Sequence, residues 1–211
     1  MGYGVLKFYD EGHVYELDGV AIPSVSEIMR FATREVYGDV NKYLLDAASE
    51  RGTAVHKACE ELDLTGTADI DSDYAPYLEA YAAFLRDEEP EWYSIERPLH
   101  FYGEFAGTID RVGLLPQRKK VAILDIKTSS ALKPALHGIQ LAAYDFLWMA
   151  RGDMSAQDVE YTYVLHLRKD GTYRLKEIPA LRREWTACLQ LHKLFTAKRR
   201  KPNGAKPSGE S

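Results

Sequence analysis

Cysteine is nearly missing from this chain of 211 residues: there are two, Cys59 and Cys188, and no C-x-x-C pair. Two thiols cannot complete a four-cysteine zinc site or iron–sulfur cluster, and their scarcity fits a reducing compartment, so both are expected in the core. Long apolar runs are missing as well. No stretch approaches the ~18–20 residues that span a bilayer, and the opening "MGYGVLKFYDEGH" has no apolar signal segment. The sequence therefore reads as soluble, intracellular and cytoplasmic, with no membrane role. Excess positive charge is also absent. The 27 Lys and Arg stand against 32 Asp and Glu, a formal net charge of -5 that argues against a generic polycationic nucleic-acid coat. Basic side chains gathered on one face, with acids collected elsewhere, remain compatible with that average.

What is present suffices for one sizeable core, with 45% hydrophobic residues, expected as a single domain over residues 1–198. Residues 1–40 read as a lead-in. Short alternating strands turn at Glu11-Gly12 and Asp18-Gly19, a hairpin leading to a helix capped by Ser24 with Glu27 three residues on. From about Lys42 to Leu62 apolar residues recur at helical spacing, with Arg51-Gly52 a point of interruption or restart and His56 and Glu60 beside the stripe. The segment "YAPYLEAYAAFLR" is a second amphipathic helix whose aromatics read as core. Then comes an antiparallel meander, "WYSIERPLHFYGEFAGTIDRVGLL" and "KKVAILDIKTS". A helix in "PALHGIQLAAYDFLWMAR", a hairpin turning at Asp170-Gly171 and a last helix from Leu181 to Lys198 follow. This order predicts an α/β (α+β) fold, a central mixed β-sheet flanked by helices on both faces. Residues 199–211 have lost apolar periodicity and are expected to form a disordered basic and polar tail.

The first chemical signal lies in "VAILDIKTSS", residues 121–130. Four apolar residues read as a strand covered on both faces, yet Asp125 and Lys127 then flank Ile126 and share one face, about 6.6 Å apart. Taken alone, such a pair is a strand-end salt bridge. An upstream strand, "EFAGTIDRVGLL", presents a second acid, Asp110, in a similar position. Two acids brought together repel, so their convergence points to a divalent cation, and hard oxygen ligands suit Mg²⁺ or Mn²⁺. Lys127 beside them is a cation or proton acceptor of the kind a phosphoryl-transfer site needs. His137, Gln140 and Tyr144 draw a polar stripe along an apolar helix, costly unless it faces a site or solvent. Arg34, Arg51, Lys133, Arg168 and Lys169 are candidate phosphate contacts that sequence cannot place on one face. His100, His166 and His192 receive no role.

In this order, "GTID", "ILDIKTS" and "QLAAY" resemble the PD-(D/E)XK nuclease superfamily, and within it the RecB-like branch that includes phage exonucleases. Residues Arg51 to His56 match that branch's R-G-x-x-x-H signature, and Gln140 and Tyr144 its Q-x-x-x-Y motif. The resemblance spans about residues 10 to 190 and implies a restriction-endonuclease-like core. It implies that His56, Asp110, Asp125 and the backbone carbonyl of Ile126 bind Mg²⁺ or Mn²⁺, that Asp110, Asp125 and Lys127 are catalytic, and that Arg51, Thr128, Gln140 and Tyr144 support DNA. Glu96, in "SIERPL", reads equally as a further acidic ligand or a strand-surface glutamate. Ile109 replaces the proline of the superfamily's name, and the iron–sulfur subgroup is excluded. The implied activity is a metal-dependent DNA nuclease, foremost an exonuclease acting on DNA ends in recombination, repair or phage replication. A recombination or single-strand-annealing protein is the partner such a role implies. A structure-specific or restriction-like endonuclease and a non-catalytic binding protein of the same fold are the alternatives.

Overall fold

The computed structural model describes residues 4–38, 42–152 and 158–199. The lead-in folds as β1 (Leu6–Tyr9), β2 (Val14–Leu17) and β3 (Val20–Ile22), an antiparallel three-stranded sheet where the sequence predicts a single hairpin. The turns fall at both sites read from the sequence, Glu11-Gly12 and Asp18-Gly19, and at the second two residues with positive φ turn the chain straight into a third strand. Ser24 then caps α1 (Val25–Ile28), its Oγ accepting the Glu27 N–H at 3.0 Å. The helices α2 (Arg30–Tyr37) and α3 (Lys42–Thr65) follow. Arg51-Gly52 does not interrupt α3, because an isolated glycine costs a helix only about 1 kcal/mol.

After α4 (Ala75–Glu88) come β4 (Glu91–Phe101), β5 (Phe105–Leu115) and β6 (Lys120–Lys127), the expected meander. A helix, α5 (Pro134–Met149), leads to β7 (Tyr161–Leu167), β8 (Tyr173–Glu177) and α6 (Arg182–Arg199). The central sheet runs β4-β5-β6-β7-β8, antiparallel except for the β6–β7 pair, whose parallel pairing needs the crossover that α5 supplies. This is the mixed sheet flanked by helices that the sequence predicts. Of the expected tail, Arg199 ends α6, and residues 200–211 lie outside the described residues. Among the described residues no helix is long and apolar enough to cross a membrane.

Each face of the sheet carries its own core. Ile123 packs with Val25, Leu147, Trp148 and Trp185 under α1, α5 and α6, while Leu124 and Ile126 pack with Val55, Cys59 and Phe84 under α3 and α4. Residues two apart share a face, so Asp125 and Lys127 follow Ile123 onto the α5 side. Apolar on almost every side, α5 is buried all round. Strict alternation puts residues three apart on opposite faces, yet Ile109 and Val112 join the same core, so the alternation breaks between them, beside Asp110. Cys59 is fully buried, and Cys188 is half-buried against the first core.

Gly113 on β5 leaves no room for a Cβ, which would run into the Glu91 carbonyl oxygen and the Trp92 ring of β4. Gly113→Ala should therefore lower stability by ~1–3 kcal/mol in urea unfolding. An unchanged midpoint would contradict this close β4–β5 approach.

Candidate metal centre

Sheet register, not chain spacing, brings the acids together. Ile95 pairs with Arg111 and Arg97 with Ile109, which sets Glu96 opposite Asp110. Arg111 pairs with Leu124 on the last rung between β5 and β6, so one step outward sets Asp110 opposite Asp125. Glu96, Asp110 and Asp125 thus form a row across three strands. Beyond that rung the Ile126 N–H donates to Asp110 Oδ2 at 2.7 Å instead of to a strand carbonyl. Glu96 has φ +41°, a left-handed conformation that costs a non-glycine residue about 1–2 kcal/mol. Such strain persists only where the surroundings fix it. Here Arg111 Nη1 donates to Glu96 Oε1 at 2.9 Å.

His56 reaches this row from α3. Its Nδ1 lies 3.3 Å from Glu96 Oε1 and 3.8 Å from Asp110 Oδ2, and its Nε2 lies 3.1 Å from the Ile126 carbonyl oxygen. Both ring nitrogens face acceptors, and only the imidazolium can donate from both. Burial opposes that charge, but the Asp110 carboxylate and the hydrogen bond to Glu96 outweigh it and push His56 up to about 9. Asp125 is fully buried, with Lys127 Nζ 2.8 Å from Oδ1 and 2.7 Å from Oδ2. Burial raises the Asp125 carboxyl above its ordinary value, and Lys127 opposes the rise. Burial likewise raises Asp110, against the pull of His56. The expected repulsion between acids is therefore present but offset by side-chain cations.

The row opens on a cleft of about 200 Å³ lined by His56, Glu96, Asp110, Lys127, Gln140 and Tyr144. Gln140 Nε2 donates to the Tyr144 hydroxyl at 2.8 Å. The polar stripe on α5 splits: Gln140 and Tyr144 face the cleft, whereas His137 is buried away from its lining, and burial pushes it down to about 4. Donor atoms of His56, Glu96 and Asp110 all lie within 4.8 Å of one another. Asp125 stands outside that trio, held by Lys127, and the Ile126 carbonyl faces the His56 ring. Arg51 Nε approaches Thr128 Oγ1 at 3.4 Å, and both line a neighbouring cleft. Two carboxylates and an imidazole, with a carbonyl beside them, fit Mg²⁺ or Mn²⁺.

Sequence reasoning missed the support behind the row. Arg111, fully buried, donates from Nε to Asp63 Oδ2 at 2.7 Å, and Asp63 also accepts from the Tyr81 hydroxyl at 2.6 Å and Trp92 Nε1 at 3.1 Å. One signal was available. Asp63 follows His56 by seven positions, two helical turns along the same face. Nothing in the sequence marks Arg111.

The sequence model of the PD-(D/E)XK nuclease superfamily matches residues 72–203. The match spans Glu96, Asp110, Asp125, Lys127, Gln140 and Tyr144 and begins after His56. No curated protein matches the chain.

A ligating imidazole is neutral, so a cation that takes His56 must release its proton. Calorimetric titration with Mg²⁺ near neutral pH should show proton release, and affinity should rise as pH approaches about 9; a titration without proton release puts His56 outside the ligand set. Without metal the sign reverses. The imidazolium contributes stability in full below its ordinary 6.5 and loses it as pH rises through about 9. Glu96→Gln should weaken cation binding about tenfold or more, whereas a strand-surface glutamate would leave the titration unchanged.

Proposed function

Because this chain belongs to the PD-(D/E)XK nuclease superfamily, whose members are metal-dependent nucleases, we propose that it is an exonuclease of the RecB-like, phage-exonuclease type that acts on DNA ends. The observation that carries this reading is the convergence of His56, Glu96, Asp110, Asp125 and Lys127 at one end of β5 and β6. The R-G-x-x-x-H helix and the Q-x-x-x-Y helix contribute to the same cleft, which supports the RecB-like assignment.

His56, Glu96, Asp110 and Asp125 would hold the cation together with the Ile126 carbonyl. When bound, the cation polarises the phosphate and lowers the pKa of water. Lys127 lines the cleft with its side chain 22% exposed, so its ammonium can turn from Asp125 toward a phosphate. There it orients the attacking water and offsets charge that develops on the phosphate. Gln140 and Tyr144 line the same cleft, hydrogen-bonded to each other, while Arg51 and Thr128 stand where the chain leaves β6. On this reading the protein works inside the cell as one domain over residues 1–198, in recombination, repair or phage replication, beside a recombination or single-strand-annealing protein.

End-labelled linear DNA digested beside covalently closed circles, with Mg²⁺, Mn²⁺ or EDTA, tests the reading. Loss of the linear substrate alone supports an exonuclease, cleaved circles indicate an endonuclease, and no cation-dependent cleavage leaves a binding protein. Lys127→Met should lower turnover by about 10²-fold or more. It should also lower stability, because buried Asp125 loses its partner. Turnover like that of wild type contradicts the role of Lys127.

A further inference from the structure

A row of basic side chains continues from Lys127 across the sheet, away from the acids. Lys127 pairs with His166 in the β6–β7 ladder, and His166 pairs with Arg174 in the β7–β8 ladder. Directly paired residues share a face, so two interstrand steps of about 4.8 Å carry this row roughly 10 Å from Lys127. Lys176, two residues along β8 from Arg174, points the same way. Two clefts open beside the row. One, of about 360 Å³, gathers Arg51, Arg168 and Lys169; the other, of about 650 Å³, gathers Arg168, Arg174 and Lys176. Ser130 and His166 line both, and His166 Nε2 pins the loop after Lys127 through the Ser129 carbonyl at 2.6 Å.

Among the described lining residues Asp170 is the sole acid, and Arg168 neutralises it at 3.0 Å. Lys169, Arg174 and Lys176 make no ion pair with any described residue. In a chain of net charge -5 this is a local excess of cations. Lysine and arginine on an edge strand also discourage edge-to-edge pairing. That does not explain why Arg51 of α3, with Arg168 and Lys169 after β7, closes on the same trough.

We propose that this trough carries the nucleic-acid strand onward from the cleavage centre, its phosphates running from Lys127 past Ser130 to Arg174 and Lys176. The proposal rests on the nuclease reading for the identity of the strand. The row's reach of roughly 10 Å matches the rise of about three nucleotides, so the trough holds a short run of backbone phosphates. Such contacts fix the position of a strand without reading its sequence.

The test compares two charge reversals of equal size. Arg174→Glu/Lys176→Glu alters the trough. Lys7→Glu/Lys119→Glu alters exposed lysines of β1 and the β5–β6 turn, which line neither cleft. Binding of a fluorescent oligonucleotide of about 20 nucleotides, single-stranded and duplex, is measured in EDTA across a salt series, with no cation present to support cleavage. The trough variant should lose about tenfold in affinity, and its salt slope should flatten by about 1.4 on the single strand and about 1.8 on the duplex, the loss of two phosphate contacts. The control pair should stay within about twofold of wild type. Equal losses in both variants, no loss in either, or no binding by wild type overturns the trough. Failure of wild type to cleave with Mg²⁺ or Mn²⁺ instead removes the nuclease reading, and the binding comparison still decides the trough.

Discussion

Three carboxylates set in one row by strand register, two of them buried, create the constraint on which the rest of the cleft depends. Like charges directly opposite one another destabilise a sheet, and burial raises the cost of each further. Asp110 and Asp125, whose carboxyls burial raises above their ordinary values, therefore need positive charge close by. The chain supplies it from three directions: His56 from α3, Lys127 from the end of β6 and Arg111 from within β5. The His56 imidazolium bridges Glu96, Asp110 and the Ile126 carbonyl, which are donors that a divalent cation would take. A proton on His56 thus does electrostatically what a divalent cation bound there would do.

The same network couples the cleft to stability. Arg111 joins Glu96 to Asp63, and Asp63 binds Tyr81 of α4 and Trp92 of β4, so the docking of α3 and α4 shares its hydrogen bonds with the row. On the other face, Gly107 lets α1 and α5 close on β5, since a Cβ there would meet Val25 and Leu147. Gln140 and Tyr144 thereby reach the cleft from a helix that is otherwise mostly core. The left-handed Glu96 sits between these two packed faces, where its strain can be held.

Much of this was legible in the sequence. The two-sided apolar run from Val121 to Leu124 specified a buried central strand, and D-x-K placed an acid and a base on one face of its end. The mixed sheet followed from the order of strand and helix patterns. Register was not legible, because it is a tertiary property of paired strands, and so Glu96 could not be told from a surface acid until it fell opposite Asp110. The α5 stripe misled at His137, because a helix buried all round offers no polar face to argue from. Of the trough's basic residues Arg51, Arg168 and Lys169 were visible singly, whereas Arg174 was not, and only the β6–β7–β8 ladder lines it up with Lys127.

The most direct test is nitrogen-15 NMR of the His56 ring near neutral pH. In EDTA both ring nitrogens should carry protons, and saturating Mg²⁺ should convert the ring to a neutral, singly protonated form. A neutral ring in EDTA, or an imidazolium that persists unchanged under saturating Mg²⁺, would contradict the claim that proton and cation compete for the same acids.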